Sequence, residues 1–263
     1  MDCIDSSHQG YFYKLIQEKH LGKAVEVYKM LYLAVLYHQR EVIVEWDEAD
    51  EGLIPRFLFL VLADHPDLFY VRVESSSFYY GVGYAKICFK YGISEQESRR
   101  IGERVRCRVK EFALLARLHG GIDPIEQMRY LYRYFVTQVV YAKEQLNSED
   151  EWELCRIHSA VGVLLEGRAV CDGLARAFKM VLDELGVENR VVRREVQKGA
   201  KFTHEWNVID LDGEELHADI TWDMDVFRVQ NQVMFEFFLL SEREMQEKHQ
   251  KGQNQACYKK REA

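Results

Sequence analysis

Residues 166–174 read Glu-Gly-Arg-Ala-Val-Cys-Asp-Gly-Leu, a glycine-flanked loop that runs into an apolar-periodic stretch. Leu174, Phe178, Val181, Leu182 and Leu185 share one helical face, and Gly186 is a good terminator. The spacing therefore sets Cys171 at a helix N-terminus. There the unpaired backbone N–H groups and the helix dipole favour a thiolate, the nucleophilic form of cysteine. A thiol alone proves little, because free cysteines are among the most buried residues and usually act as small hydrophobes.

Its company lies downstream, in Thr203-His204-Glu205-Trp206-Asn207-Val208 and Leu216-His217-Ala218-Asp219-Ile220-Thr221-Trp222, joined through Asp210-Leu211-Asp212-Gly213. An Asp-Gly dipeptide between two strand-like runs predicts a hairpin. A two-residue turn at Asp212–Gly213 sets Trp206 opposite Asp219 and leaves His204 as its diagonal neighbour on the same face. A turn at Leu211–Asp212 sets His204 directly opposite Asp219. Both registers bring His204 and Asp219 together, whereas a three-residue loop would flip one strand and part them.

The loop-Cys-helix, the H-x-W-N strand and the H-x-D-x-T-W strand resemble the transglutaminase-like superfamily, in the same order of Cys, His and Asp. The likeness covers roughly residues 124–249, including the Tyr130 to Tyr141 segment before the core and Phe237-Phe238-Leu239-Leu240-Ser241 after it. Asp64-His65-Pro66-Asp67-Leu68-Phe69-Tyr70 resembles the leading region of some bacterial members. The resemblance implies an α+β fold: a papain-like core, with the Cys-bearing helix packed against an antiparallel sheet carrying His and Asp, preceded by a smaller α+β domain. It makes Cys171 the nucleophile, His204 the base that takes its proton, and Asp219 the group that orients the imidazole.

In the same resemblance the Cys171 backbone amide is the first oxyanion donor. Trp206 and Trp222 are candidates for the oxyanion site or an aromatic wall along an acyl chain, though aromatic residues at such positions more often simply pack. Two positions depart from the family pattern. Asp172 stands where many relatives have glutamate or glycine, and Val161 where an aromatic is common. An acidic neighbour of this kind tends to raise a thiol's pKa, against the helix dipole.

Three plainer alternatives stand beside this reading. Cys171 would be a core thiol, His204 and Asp219 a structural hydrogen bond, or Cys171, His204, His217 and Asp219 a metal cluster. Neither HExxH nor paired-cysteine spacing supports the last, so no metal is expected. No cofactor is implied, and no dense Asp-Asn-Gly-Glu loop of the EF-hand type points to calcium. Gly81-Val82-Gly83 is too short for a nucleotide loop.

The rest of the chain divides, by its punctuation, into an N-terminal α+β domain (1–120), a catalytic domain (121–249) and a polar tail (250–263). Leu21, Ala24, Val25, Tyr28, Leu31, Tyr32 and Val35 mark one helix face, and Leu53 to Leu62 a second helix. Leu68 to Val73 and Phe78 to Phe89 are strand-like and predict a hairpin. Ser94-Glu95-Gln96-Glu97 has the capping-box form, opening a helix to about His119. Gly120-Gly121 breaks it, and Asp123-Pro124 restarts another as N-cap and first helical residue.

Composition bounds the function. The 263 residues are 48% apolar and 30% charged, as in a folded globular protein, and a net charge of -8 argues against nucleic acid as a partner. No apolar run reaches a membrane span, the first residues have no secretory pattern, and six cysteines without CxxC spacing read as reduced thiols, so the expected compartment is the cytoplasm. The expected activity is attack on an amide carbonyl of a peptide or protein through a thioester at Cys171, hydrolytic sooner than cross-linking. The alternatives are a transglutaminase forming isopeptide bonds, and a silent papain-like scaffold whose aromatic-rich N-terminal region binds a protein partner. The sequence leaves the oligomeric state open.

Overall fold

The computed structural model describes residues 10–19, 21–47, 50, 52–195 and 203–253. The chain divides into two compact units, residues 1–103 with 145–156, and residues 104–144 with 157–263. The division falls inside a long helix rather than at Gly120-Gly121, and the first unit recovers a short helix from the middle of the chain. Of the proposed tail, residues 250–253 are helical, and 254–263 lie outside the described residues.

The first unit opens with α1 (Tyr11–Glu18) and α2 (Gly22–Leu36), followed by β1 (Glu41–Glu45) and α3 (Leu53–Asp64). Asp64 is buried at the end of α3 and accepts from the backbone N–H groups of Phe12 and Tyr13 at 3.1 and 3.0 Å and from the Tyr28 hydroxyl at 2.7 Å. One carboxylate thus satisfies orphan donors at the start of α1 and ties three helices together. Burial first, and then this neighbouring charge, push the Tyr28 hydroxyl far above its ordinary pKa.

The predicted hairpin partners are corrected. Leu68 to Val73 is loop apart from a bridge between Val71 and Tyr91, while residues 77–88 fold on themselves as β2 (Ser77–Gly81) and β3 (Tyr84–Cys88) around Val82-Gly83. β1, which the sequence reading passes over, completes an antiparallel sheet in the order β1-β3-β2. Phe69, Tyr70 and Val71 are buried all the same, so the apolar run belongs to a core loop.

The helix opened by Ser94 is α4 (Glu95–Gly120), with the Glu97 N–H 3.3 Å from Ser94 Oγ. Asp123 caps α5 (Pro124–Gln138), accepting from the Ile125 N–H at 2.8 Å. β4 (Val140–Tyr141), α6 (Glu151–Ile157) and a π-helical turn (Gly162–Glu166) lead to β5 (Arg168–Ala169), which pairs parallel with β4. Then come α7 (Cys171–Leu185) and the antiparallel meander β6 (Asn189–Glu195), β7 (Thr203–Leu211), β8 (Glu214–Ala218). α8 (Ile220–Gln230) and α9 (Glu242–Gln253) close the described chain.

The second unit therefore has the expected α+β form, a helix headed by Cys171 against an antiparallel sheet. Its core joins Met128, Leu131, Tyr132 and Phe135 of α5 to Phe178, Val181 and Leu182 of α7, all 0% exposed. Each such side chain contributes about 1.5–3 kcal/mol by leaving water. This apolar face makes α7 a rigid base for its first residue.

Candidate active site

Cys171 is the first residue of α7 and is partly exposed. Three backbone contacts fix the loop before it: the Val140 N–H donates to Gly167 O at 2.8 Å, the Ala142 N–H to Ala169 O at 2.9 Å, and the Val170 N–H to Ile157 O at 3.0 Å. Gly167 takes a left-handed φ of 68°, which turns the chain out of the π-helical turn. Gly173 is required by close approach, since a Cβ there would lie 2.5 Å from Ile157 O.

His204 stands on β7, and Asn207 on the same strand donates to Ala175 O at 2.8 Å, fastening the His strand to the Cys helix. The hairpin takes the first of the two registers considered, with Asn207 opposite Ala218 and Leu211 opposite Glu214. Asp212 and Gly213 both have positive φ, 56° and 86°, as a two-residue type I′ turn requires. Asp219, Thr221 and Trp222 do not continue the strand as read from H-x-D-x-T-W. β8 ends at Ala218, and Asp219 is the N-cap of α8, its side chain accepting from the Trp222 N–H at 3.2 Å. A strand read as continuous becomes a helix because Asp is a strong N-cap.

The two residues nonetheless meet: His204 Nε2 lies 2.7 Å from Asp219 Oδ2, and the His204 ring also hydrogen-bonds the Cys171 side chain. With Nε2 committed to the carboxylate, Nδ1 is the ring nitrogen left for the thiol. Asp219 is 0% and His204 6% exposed. Burial alone would lower the imidazole's pKa, but the Asp219 charge, its hydrogen bond and the Cys171 side chain outweigh it and raise His204 to about 10. Burial would raise Asp219, and His204 and His249 together hold it well below the usual carboxylate range.

His249 is the residue that the sequence reading missed. Its Nε2 lies 2.9 Å from the same Asp219 Oδ2, reached from α9. The signal was present: Ser241 and Glu244 form a reciprocal capping box, with Ser241 N–H to Glu244 Oε2 at 2.9 Å and Glu244 N–H to Ser241 Oγ at 3.3 Å. A helix started there puts Met245 and His249 on one face, four residues apart.

Asp172 does not act as an uncompensated charge beside the thiol. Its carboxylate is turned inward, 2.8 Å from His158 Nδ1. Burial would raise its pKa, but His158 and the nearby Arg176 and Arg193 hold it well below the usual range. Glu205, 3% exposed, accepts from Arg193 Nε at 2.8 Å and lies 3.5 Å from Arg176 Nη2. An array of two buried acids, the buried Arg176 and the half-buried His158 and Arg193 thus underlies the first turn of α7 and joins it to β6 and β7.

Trp206 and Trp222 are 5% and 2% exposed, which does not suit an open wall for an acyl chain. The Trp206 indole N–H donates to His217 Nδ1 at 2.9 Å and so is not free for an oxyanion. The rings instead pack the imidazoles, Trp206 at 5.7 Å from His204 and Trp222 at 4.4 Å from His249. His217 lies outside the Asp219 cluster, and burial lowers it to about 4. Among the described residues, His204, Asp219 and His249 bring side-chain nitrogen and oxygen atoms within 4.8 Å of one another, and the 2.7 and 2.9 Å separations of the two Nε2 atoms from Asp219 Oδ2 are those of hydrogen bonds.

No protein-family model and no curated protein matches the chain. Among solved structures, one described as a TGase aligns with a TM-score of 0.38 and 12% identity, over 69% of this chain and 50% of its own. This chain thus spans about half the length of that protein. A structure from Cytophaga hutchinsonii described as a cysteine protease aligns with a TM-score of 0.33 and 12% identity, over 58% of this chain and 68% of its own. Neither overlap reaches 0.5, and the chemistry rests on the site's own geometry. Among the described residues no helix is long and apolar enough to cross a membrane.

Proposed function

We propose that the chain is a cysteine-dependent acyl-transfer enzyme of the Cys-His-Asp class, acting on an amide bond of a peptide or protein. The observation that carries this reading is His204, hydrogen-bonded on one side to Cys171 and on the other to a fully buried Asp219 carboxylate. An imidazole raised to about 10 is an imidazolium at neutral pH, which stabilises a thiolate beside it and holds a proton ready for a leaving amine.

Cys171 Sγ attacks the carbonyl carbon, and the developing oxyanion meets the backbone N–H groups at the start of α7. The C–N bond breaks as His204 Nδ1 passes its proton to the amine, leaving a thioester on Cys171. Water then attacks while Nδ1 takes its proton, the C–S bond breaks, and the acid leaves. Throughout, Asp219 keeps Nε2 protonated and the ring oriented. Hydrolysis is the favoured outcome, because transfer needs a site that admits an amine and excludes water.

The test is to incubate the protein with a mixed library of glutamine- and lysine-containing peptides and trap the enzyme in acid for intact mass. A thioester adduct on Cys171 that vanishes in Cys171→Ala supports the reading. Product masses separate the two fates, since attack by water leaves a free acid, whereas attack by a lysine amine joins two peptides, ammonia having left in the first step. Absence of any adduct, with no product peptide, leaves the silent scaffold in its place.

A further inference from the structure

Asp219 Oδ2 carries two imidazoles. His204 approaches it at 2.7 Å from β7 and His249 at 2.9 Å from α9, while Oδ1 accepts from the Trp222 N–H at 3.2 Å. A carboxylate held in its ionised form only accepts, so His249 Nε2 is a donor here, with its proton on the carboxylate side. The His249 ring is itself fixed, 4.4 Å from Trp222, 5.0 Å from Trp206, and stacked on Phe237 at 5.9 Å and 19°. Its side chain is 12% exposed. Resting on the acyl-transfer reading above, we infer that His249 is a positioning residue, whose N–H locks the Asp219 carboxylate in the orientation that presents Oδ2 to His204.

The physical reason is the count of donors. A buried carboxylate with two oxygens accepts readily from three or four donors, and each one missing leaves a desolvated lone pair. Without His249, Oδ2 keeps only His204, and a carboxylate held otherwise by the Trp222 N–H alone turns more easily or takes up a proton. Either change weakens its hold on Nε2. The other titratable groups that face Asp219 do not replace the donor. Tyr132 of α5 reaches its backbone carbonyl at 2.8 Å, Asp223 of α8 is a like charge, and Cys171 of α7 meets His204 instead. α9 therefore closes the site's structure from behind and is part of the working unit.

A purely structural role for the ring predicts that an aromatic replacement suffices, whereas the positioning role requires a donor. Wild type, His249→Phe, His249→Gln and His204→Ala are compared by site-resolved alkylation of Cys171 with iodoacetamide between pH 5 and 9, with near-UV circular dichroism to establish folding. The expected result is that His249→Phe slows alkylation at pH 6.5 about tenfold, its profile moving about one unit alkaline, while His249→Gln, whose amide N–H replaces Nε2–H, stays near wild type. Should the Phe variant not fold, His249→Met, apolar and without a donor, takes its place and carries the same expectation. A wild-type profile in the donorless variant, or an equal loss in His249→Gln, overturns the inference while leaving the contrast between wild type and His204→Ala intact. If wild type and His204→Ala do not differ, the acyl-transfer reading itself fails, and the inference with it.

Discussion

Asp219→Asn keeps the shape of the side chain but exchanges an acceptor oxygen for a donor nitrogen, facing two imidazole N–H groups or the Trp222 N–H. The expected loss in the rate of thioester formation is roughly 10⁴-fold, the scale of the same exchange in a serine triad. Quenched-flow mass measurement reads it. The His204 imidazole also gives a pH signature. Its folded-state pKa, about 10, lies above the unfolded value of about 6.5, so its contribution to stability is full below pH 6.5 and is lost as pH rises through 10. Urea unfolding from pH 6 to 10 is expected to show this decline, and His204→Gln to flatten it. At this scale the sequence was legible where chemistry is local: Cys171 before a periodic face, and His204 and Asp219 about a DG turn. His249 was passed over because its partner is 30 residues distant and the capping box that starts its helix was not read.

The elements place those residues by a few backbone requirements. Gly173→Ala drives a Cβ to 2.5 Å from Ile157 O and 3.0 Å from Ser159 O, against backbone that cannot swing aside. The expected cost is about 1–3 kcal/mol in stability, with slower Cys171 alkylation because the first turn of α7 shifts. Gly186→Ala, by contrast, meets open space but a φ of 79°, so it is expected to cost about 1 kcal/mol and leave alkylation unchanged. Chemical denaturation beside alkylation separates the two. Caps and breakers made α4, α5 and α7 readable almost to the residue. The hairpin in 68–89 was misassigned because the aromatic run around Phe69 and Tyr70 is buried as a loop, and burial, not strand pairing, set its composition. The start of α8 was misread because Ile-Thr-Trp has strand propensity and the Asp219 cap overrides it.

Across the whole second unit, buried charge sets the limits of tolerance. Arg176, 6% exposed, stands between Asp172 and Glu205, which are 8% and 3% exposed. Arg176→Met is expected to destabilise by about 3–5 kcal/mol, because it leaves buried acids less compensated, and a thermal-unfolding shift reads it. Sequence reading took Asp172 as a lone acid beside the thiol, since His158 and Arg193 join it only through tertiary packing. The α+β class of this unit was legible from its order of motifs. The division of the chain at 103/104 was not, because no breaker marks the interior of α4.

The proposed acyl transfer requires His204 to activate Cys171, which the pH dependence of iodoacetamide alkylation, resolved by site, reads in wild type and His204→Ala. Cys171 alone is expected to react rapidly near pH 6–7, and His204→Ala to abolish this. Cys171 reacting in the folded protein no faster than Cys107, an exposed thiol on α4, would contradict it.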